Sequence, residues 1–336
     1  MKVYHVSAER PCYVELKCTE IDPAKLGADE VLVENDFSVI SAGTERAWLM
    51  DMNNAHPTYP YCPGYSAAGR VLAVGAQVSS LKVGDRVVNT WAGHRSHNVR
   101  KAASLFKIED DSIELLDAAF AHIASFPCLG VRKLRIELGE AAMVAGMGIL
   151  GAFAVQFAQL SGAIPVLVSD LDPVRRDLAL KLGATAVFDP AAKDFKDQVL
   201  AATGGRGVEA VVEVTGVAVA LQQALEYVAR MGRISLLGCT RVSDAHIDFY
   251  KFVHCRGVKL IGSHTNTRPK LESRPGEWTE FDDYAAILKL IAAGKLQTRP
   301  LISEIVSPEK ANAVYTRLVE CKNPPLGIVF DWRKMR

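Results

Sequence analysis

The sequence lacks any apolar run approaching the ~18–20 residues of a membrane span. Its first stretch, MKVYHVSAERPCYVELK, has no apolar signal-peptide core, so export is not expected. It lacks a charge surplus as well. Against 39 Lys and Arg stand 38 Asp and Glu, a net charge of +1. That balance excludes the broad electrostatic footprint of a nucleic-acid or acidic-membrane binder. The seven cysteines are odd in number and show no disulfide-framework spacing, so a reducing cytoplasm is the expected compartment. There is no internal repeat and no low-complexity tract. What remains is 336 residues of ordinary globular composition, 49% hydrophobic and 23% charged, with room for two domains.

The first part, to about Leu115, is a series of short β-like runs. VYHVSA, EVLVEN, GRVLAVG and DRVVNTW are separated by Gly, Pro, Asn or Asp turn signals. A twisted antiparallel, barrel-like module is expected. From about Asp117 to Thr265, strand and helix patterns alternate. The strands are AAMVAG, IPVLVSD, TAVFD, VEAVVEV, RISLLG and VKLIGS. GILGAFAVQFAQLSG and DPVRRDLALKLGA are helices between them, the second with Asp172 as N-cap, Pro173 first in the helix and Gly183 past its end. Near-continuous apolar strands alternating with helices indicate a parallel sheet covered on both faces, a doubly wound dinucleotide-binding domain. The tail holds one periodic helix, FDDYAAILKLIAAGKL, then LISEIV, SPEKANAVYTRLVE and GIVFDW. It is too short for its own core and is expected to pack back on the first module.

VAGMGILGAF carries Gly146, Gly148 and Gly151 in G-x-G-x-x-G spacing, after an apolar strand and opening a helix. The glycines allow the tight turn, the approach of backbone to a pyrophosphate and close helix–strand packing. Ile149 and Leu150 begin that helix, whose N-terminal dipole favours the phosphates. Asp170 ends the next strand, where an acidic side chain holds the ribose hydroxyls and repels the extra phosphate of NADP, so NAD is the expected cofactor. Thr215, Gly238, Cys239 and Ser263 end later strands at the carboxyl edge of the sheet, where dinucleotides bind.

With these motifs, and with VGDRV, GGRGVEAVVEVTG and GRISLLG, essentially the whole chain resembles the medium-chain dehydrogenase/reductase, alcohol dehydrogenase-like superfamily. The resemblance implies a GroES-like β-barrel catalytic domain at 1–120 and 265–336, and a Rossmann domain at 121–264. Zinc-containing members carry Cys-Gly-Thr-Asp where this chain has Ala42-Gly43-Thr44-Glu45, and Gly-His-Glu where it has Gly64-Tyr65-Ser66. The third ligand falls near Ala121. Ala, Tyr and Ala cannot build a three-ligand zinc site. The structural-zinc lobe is also missing, since no cysteine lies between Val87 and Leu105 and the His94-x-x-His97 pair has no third ligand nearby. The chain therefore resembles a zinc-free branch, shared by sugar and glycoside dehydrogenases and by bacteriochlorophyllide hydroxyethyl dehydrogenases.

Oxidation of a secondary alcohol without zinc needs a positioned base or proton relay. The resemblance puts Thr44 on the substrate hydroxyl, Glu45 beside it as substrate holder or base, and Tyr65 in the vacated ligand position. His122, whose unperturbed pKa of ~6.5 suits a base at neutral pH, and Tyr65 are the two candidates for the base, with Glu45 or His264 next in line. These groups are expected to meet in one cleft beside the nicotinamide. His264 and Trp278, in or beside a long polar connection after the last Rossmann strand, are candidate substrate-binding residues, and the connection itself a candidate lid. The expected activity is NAD-dependent, zinc-independent oxidation of a sugar, polyol or glycoside. The alternatives are hydroxyethyl-chlorin oxidation, NADPH-dependent reduction of enones or quinones, and non-catalytic cofactor binding. The partner is a small-molecule substrate. A homodimer or homotetramer is expected, paired through RISLLG as the edge of the sheet.

Overall fold

The computed structural model describes residues 1–336. The chain divides into two compact units, Met1–Ile123 with Tyr284–Arg336, and Ala124–Asp283. No helix is long and apolar enough to cross a membrane.

The first unit opens with the hairpin β1 (Lys2–Arg10) and β2 (Tyr13–Glu20). Strand β3 (Glu30–Ile40) is buried along most of its length and is shared by three partners, which is why its sequence reads as a near-continuous apolar run. It pairs antiparallel with β4 (Ser66–Val74), with β6 (His97–Lys101) and, from the far end of the chain, with the C-terminal strand. Strand β5 (Arg86–Thr90) joins β4 to the short β7 (Leu105–Lys107). The SAGTE segment is helical. It starts helix α1 (Ala42–Leu49), because Glu45 Oε1 reaches back to accept from the Ser41 backbone N–H at 2.8 Å and caps the first turn. Helix α2 (Leu115–Ala118) leads into α3 (Ala121–Leu134), within which the chain passes into the second unit.

The second unit is a six-stranded parallel sheet. Its strands are β8 (Ala142–Ala145), β9 (Val166–Ser169), β10 (Ala186–Phe188), β11 (Val208–Glu213), β12 (Val228–Leu236) and β13 (Lys259–Gly262). Their order is β10-β9-β8-β11-β12-β13, that is 3-2-1-4-5-6, the doubly wound dinucleotide-binding arrangement. Met143, Leu167, Val211, Ile234 and Tyr227 fill the core of one face. Helices α4 (Ile149–Leu160) and α5 (Pro173–Lys181) follow β8 and β9, and α6 (Phe195–Ala202) and α7 (Ala218–Tyr227) follow β10 and β11. Asp172 caps α5 by accepting from Val174 N–H, with Pro173 next and Gly183 at φ +104° beyond the end, as expected. The edge expectation is corrected. RISLLG lies inside the sheet because β13 pairs on its outer side, so the edge strand is β13.

The chain returns to the first unit within α8 (Glu280–Ala292). Strand β14 (Ile302–Val306), α9 (Ala311–Glu320) and β15 (Gly327–Asp331) then complete that unit, β15 against β3. Val6, Ile40, Leu49, Tyr315, Phe330 and Trp332 form its core. The return to the first module is as expected, but the second crossing is later than residue 265. Residues 265–283 stay with the second unit because Asp283, fully buried, accepts from Arg268 Nη1 at 2.8 Å and from Arg132 Nη2 at 3.0 Å.

Candidate active site

The turn between β8 and α4 has the shape a pyrophosphate requires. Gly146 sits at φ +102°, and a Cβ at Gly151 would lie 1.9 Å from the Gly146 carbonyl oxygen, so neither position admits a side chain. Gly148 is the N-cap of α4, with open space where its Cβ would project. Backbone N–H groups at a helix N-terminus fit an anionic phosphate. Ile149 is buried and Leu150 half-buried at the start of that helix.

Asp170 is half-buried. Its Oδ2 accepts from Met147 N–H at 2.7 Å and its Oδ1 from Asp172 N–H at 2.8 Å. The carboxylate ties the glycine turn to the end of β9, and each oxygen keeps a further lone pair for a ribose hydroxyl. Beyond β11, Thr215 gives both its N–H and its hydroxyl to Glu213, which also accepts from Gly216 N–H. Burial pushes the Glu213 carboxyl up, against the pull of those donors. Sequence reasoning missed this carboxylate, which shapes the turn. Gly238 and the exposed Cys239 follow β12, and Cys239 carries no bonded partner cysteine. Ser263 is corrected: it is 1% exposed and shares a 2.7 Å hydrogen bond with Ser235, bracing β12 against β13.

In the first unit, Tyr65 and His122 come together. Their ring centroids are 5.5 Å apart, edge to face, and Trp91 closes the group at 4.8 Å from His122 and 5.3 Å from Tyr65. Trp91 is 55% exposed and held at φ +55°, a strained conformation for a bulky residue, with its N–H on the Tyr65 carbonyl. A fourth ring lies behind: the Tyr284 hydroxyl is 2.5 Å from His122 Nδ1. Neither Trp91 nor Tyr284 was singled out from sequence. Only the φ of Trp91 and the fold of α8 reveal them.

Thr44 is half-buried in the first turn of α1. Glu45 is corrected: it is 3% exposed, and its carboxylate faces inward. Besides capping α1, Oε2 accepts from the Tyr315 hydroxyl and lies 3.0 Å from His94 Nε2. Trp332 Nε1 is donor-only and gives its hydrogen to Ser38 Oγ at 2.9 Å. Ser38 can then donate to His94 Nδ1 at 2.7 Å, leaving the Nε2–H for Glu45. This neutral tautomer satisfies every member of the network around an ionised Glu45. The acid that the resemblance placed beside the substrate is structural, and His94 is its partner rather than a metal ligand.

A zinc ion does not fit the corresponding positions. Ala42 and Ala121 offer only methyl groups, Ser66 donates to the Ala119 carbonyl at 2.6 Å, and no group of three or more His, Cys, Asp or Glu converges anywhere.

The two substrate-binding candidates of the second unit are also corrected. His264 is exposed and its Nδ1 accepts from Asn266 N–H, capping a short turn. The Trp278 ring stacks under the Arg132 guanidinium at 3.7 Å. With Asp283 holding Arg132 and Arg268, and Lys133 bonded to Gly262 and Thr267, the connection is a pinned strap rather than a lid.

Residues 27–125 match the alcohol dehydrogenase GroES-like domain, and residues 150–285 the zinc-binding dehydrogenase domain. The chain thus carries both modules of the alcohol dehydrogenase-like, medium-chain oxidoreductases, in their order. It is 28% identical to the L-threonine 3-dehydrogenase of Pyrococcus abyssi, over 90% of this chain and 91% of that one. It is 24% identical to the sorbitol dehydrogenase of Bacillus subtilis, over 94% of each. A dehydrogenase structure from Sinorhizobium meliloti 1021 bound to NADP shares the fold with a TM-score of 0.84, at 20% identity, over 98% of this chain and 99% of that one.

Proposed function

We propose that the protein interconverts a secondary alcohol of a polyol, sugar or glycoside and its ketone, with NAD and without a catalytic zinc. One observation supports the reading: Tyr65, at a position where the resemblance places a metal ligand, lies in an aromatic box with a buried imidazole, Tyr65–Trp91–His122. The turn Gly146–Gly151 would hold the pyrophosphate and Asp170 the adenosine ribose. When bound, the nicotinamide supplies the hydride acceptor. Thr44 hydrogen-bonds the substrate hydroxyl, Tyr65 orients the reacting oxygen, and His122 takes the hydroxyl proton at Nε2. The exposed Trp91 gives a sugar ring an apolar face to lie against. Thr215, Gly238 and Cys239 line the cofactor edge. The names of the threonine and sorbitol relatives support a small hydroxylated substrate. We also propose a cytoplasmic homodimer or homotetramer.

The test is a screen of polyols, sugars, glycosides and enones with NAD(H) and NADP(H), following the absorbance of the reduced nicotinamide. Turnover of a polyol or sugar with NAD is expected. The second reading is an NADPH-dependent enone or quinone reductase, favoured by the NADP-bound structural neighbour. Activity confined to enones with NADPH would replace the first reading by the second. Stoichiometric zinc surviving dialysis would remove the zinc-independent part.

A further inference from the structure

The box has one polar contact that the proposed reaction has not used. Tyr284, from the first turns of α8, is 1% exposed and places its hydroxyl 2.5 Å from Nδ1 of the fully buried His122. The two residues are 162 positions apart, and each ring also meets another aromatic, His122 against Trp91 and Tyr284 against Phe106. A tyrosine hydroxyl can donate or accept, whereas a neutral imidazole has one donor and one acceptor nitrogen. The nitrogen that makes the fixed hydrogen bond decides the state of the other.

We infer that Tyr284 is a positioning residue that holds His122 as the Nδ1–H tautomer. This rests on the reading of His122 as the base. The Nδ1–H donates to the Tyr284 oxygen, which leaves the lone pair on Nε2 to accept the substrate's hydroxyl proton. That proton would arrive at Nε2 while the O–H bonding pair becomes the carbonyl π bond, and a bound nicotinamide would supply the acceptor for the C–H hydride. The imidazolium so formed keeps its Nδ1–H on Tyr284, now as a charge-assisted bond. Tyr284 thus takes the orienting role of a third group behind a base. Tyr65, before β4, and Tyr284 are titratable groups that meet the His122 ring. Asp283, the residue before Tyr284, turns its carboxylate to Arg268 and Arg132.

The test uses Tyr284→Phe and His122→Asn in the full chain, with a substrate found by the screen. Tyr284→Phe removes the acceptor and keeps the ring. It should keep NADH affinity and lower turnover by about 10- to 100-fold. Loss of an acceptor that favours the imidazolium lowers the His122 pKa, so the rising acid limb of the kcat/KM profile should move to lower pH by about one unit. A role confined to packing would shift the melting temperature and leave that limb in place. If His122→Asn is inactive while Tyr284→Phe keeps wild-type turnover and limb, the inference falls and the base survives. If His122→Asn keeps turnover, the base assignment falls and takes the inference with it. ¹⁵N spectra of the wild-type imidazole need no variant. Protonation at Nδ1 at neutral pH supports the inference, and the Nε2–H tautomer overturns it.

Discussion

Asp170 and Glu45 are two carboxylates with opposite reach. Asp170 bonds backbone groups 2 and 23 positions away, all between the end of β8 and the N-cap of α5. Glu45 bonds groups 4, 49 and 270 positions away, and its network ends on Trp332. The first carboxylate shapes a turn that faces open space. The second, 3% exposed, fills a closed floor with both oxygens already bonded to buried donors. A nucleotide site can be made from local backbone, while a pocket wall is made from side chains that only the tertiary fold assembles. Four substitutions would break or sharpen that contrast.

The largest effect is expected at the floor. Glu45→Ala leaves His94, the Tyr315 hydroxyl and the Ser41 N–H buried without their acceptor. Removing one partner of a buried charged network costs about 3–5 kcal/mol. Denaturant melts should show it, with nucleotide affinity per folded molecule unchanged. A loss under 1 kcal/mol would mean that the network is solvated. At the turn, the order of damage reverses. Gly151→Ala drives a methyl into the Gly146 carbonyl, so NADH titration should show at least ~100-fold weaker binding, about 2.7 kcal/mol. Unchanged binding would separate the turn from the cofactor.

Asp170→Ser is subtler, because the serine can still accept from one backbone N–H. NAD should weaken by about 1.5–3 kcal/mol, the worth of a hydrogen bond to a charged group, and discrimination against NADP should relax. A wild type that prefers NADP would overturn the assignment of Asp170. The smallest effect is one of pH. Burial raises the Glu213 carboxyl pKa in the folded protein. The stability tied to its protonated form is therefore present below its unfolded value of about 4.3 and is lost as pH rises through the folded value. Glu213→Gln removes that loss, so its stability relative to wild type should climb with pH from about 4.3 upward. A flat difference across melts at several pH values would show that the Thr215 and Gly216 donors offset the burial.

The contrast also explains what the sequence made legible. The glycine turn, the alternation of strands with helices and the cap of α5 follow from local spacing and backbone chemistry, and all three appear as read, whereas the place of RISLLG inside the sheet does not. Tyr65 and His122 were legible as a pair because they occupy positions that a resemblance marks. The fate of Glu45 was not. Its spacing to Thr44 looks catalytic, and only Tyr315 and His94 draw it inward. His264 and Trp278 failed for the same reason, one taken by a turn and the other by a cation from α3. Nothing local to α8 distinguishes Tyr284 from a core tyrosine, and its role depends on a helix that begins 159 positions earlier, at Ala121.

The sharing of β3 among three partners has a consequence for how the chain is made. Residues 124–283 form a contiguous unit, complete while the C-terminus is still being synthesised. The first unit cannot be complete then. Until α9 and β15 emerge, Glu45 waits for Tyr315, Ser38 waits for Trp332, and the Phe37–Ile40 end of β3 lacks its β15 partner. A nascent chain that stops short of Ala311 therefore carries a finished nucleotide module tethered to an open apolar sheet. Such a truncation product is one that chaperones and proteases will recognise.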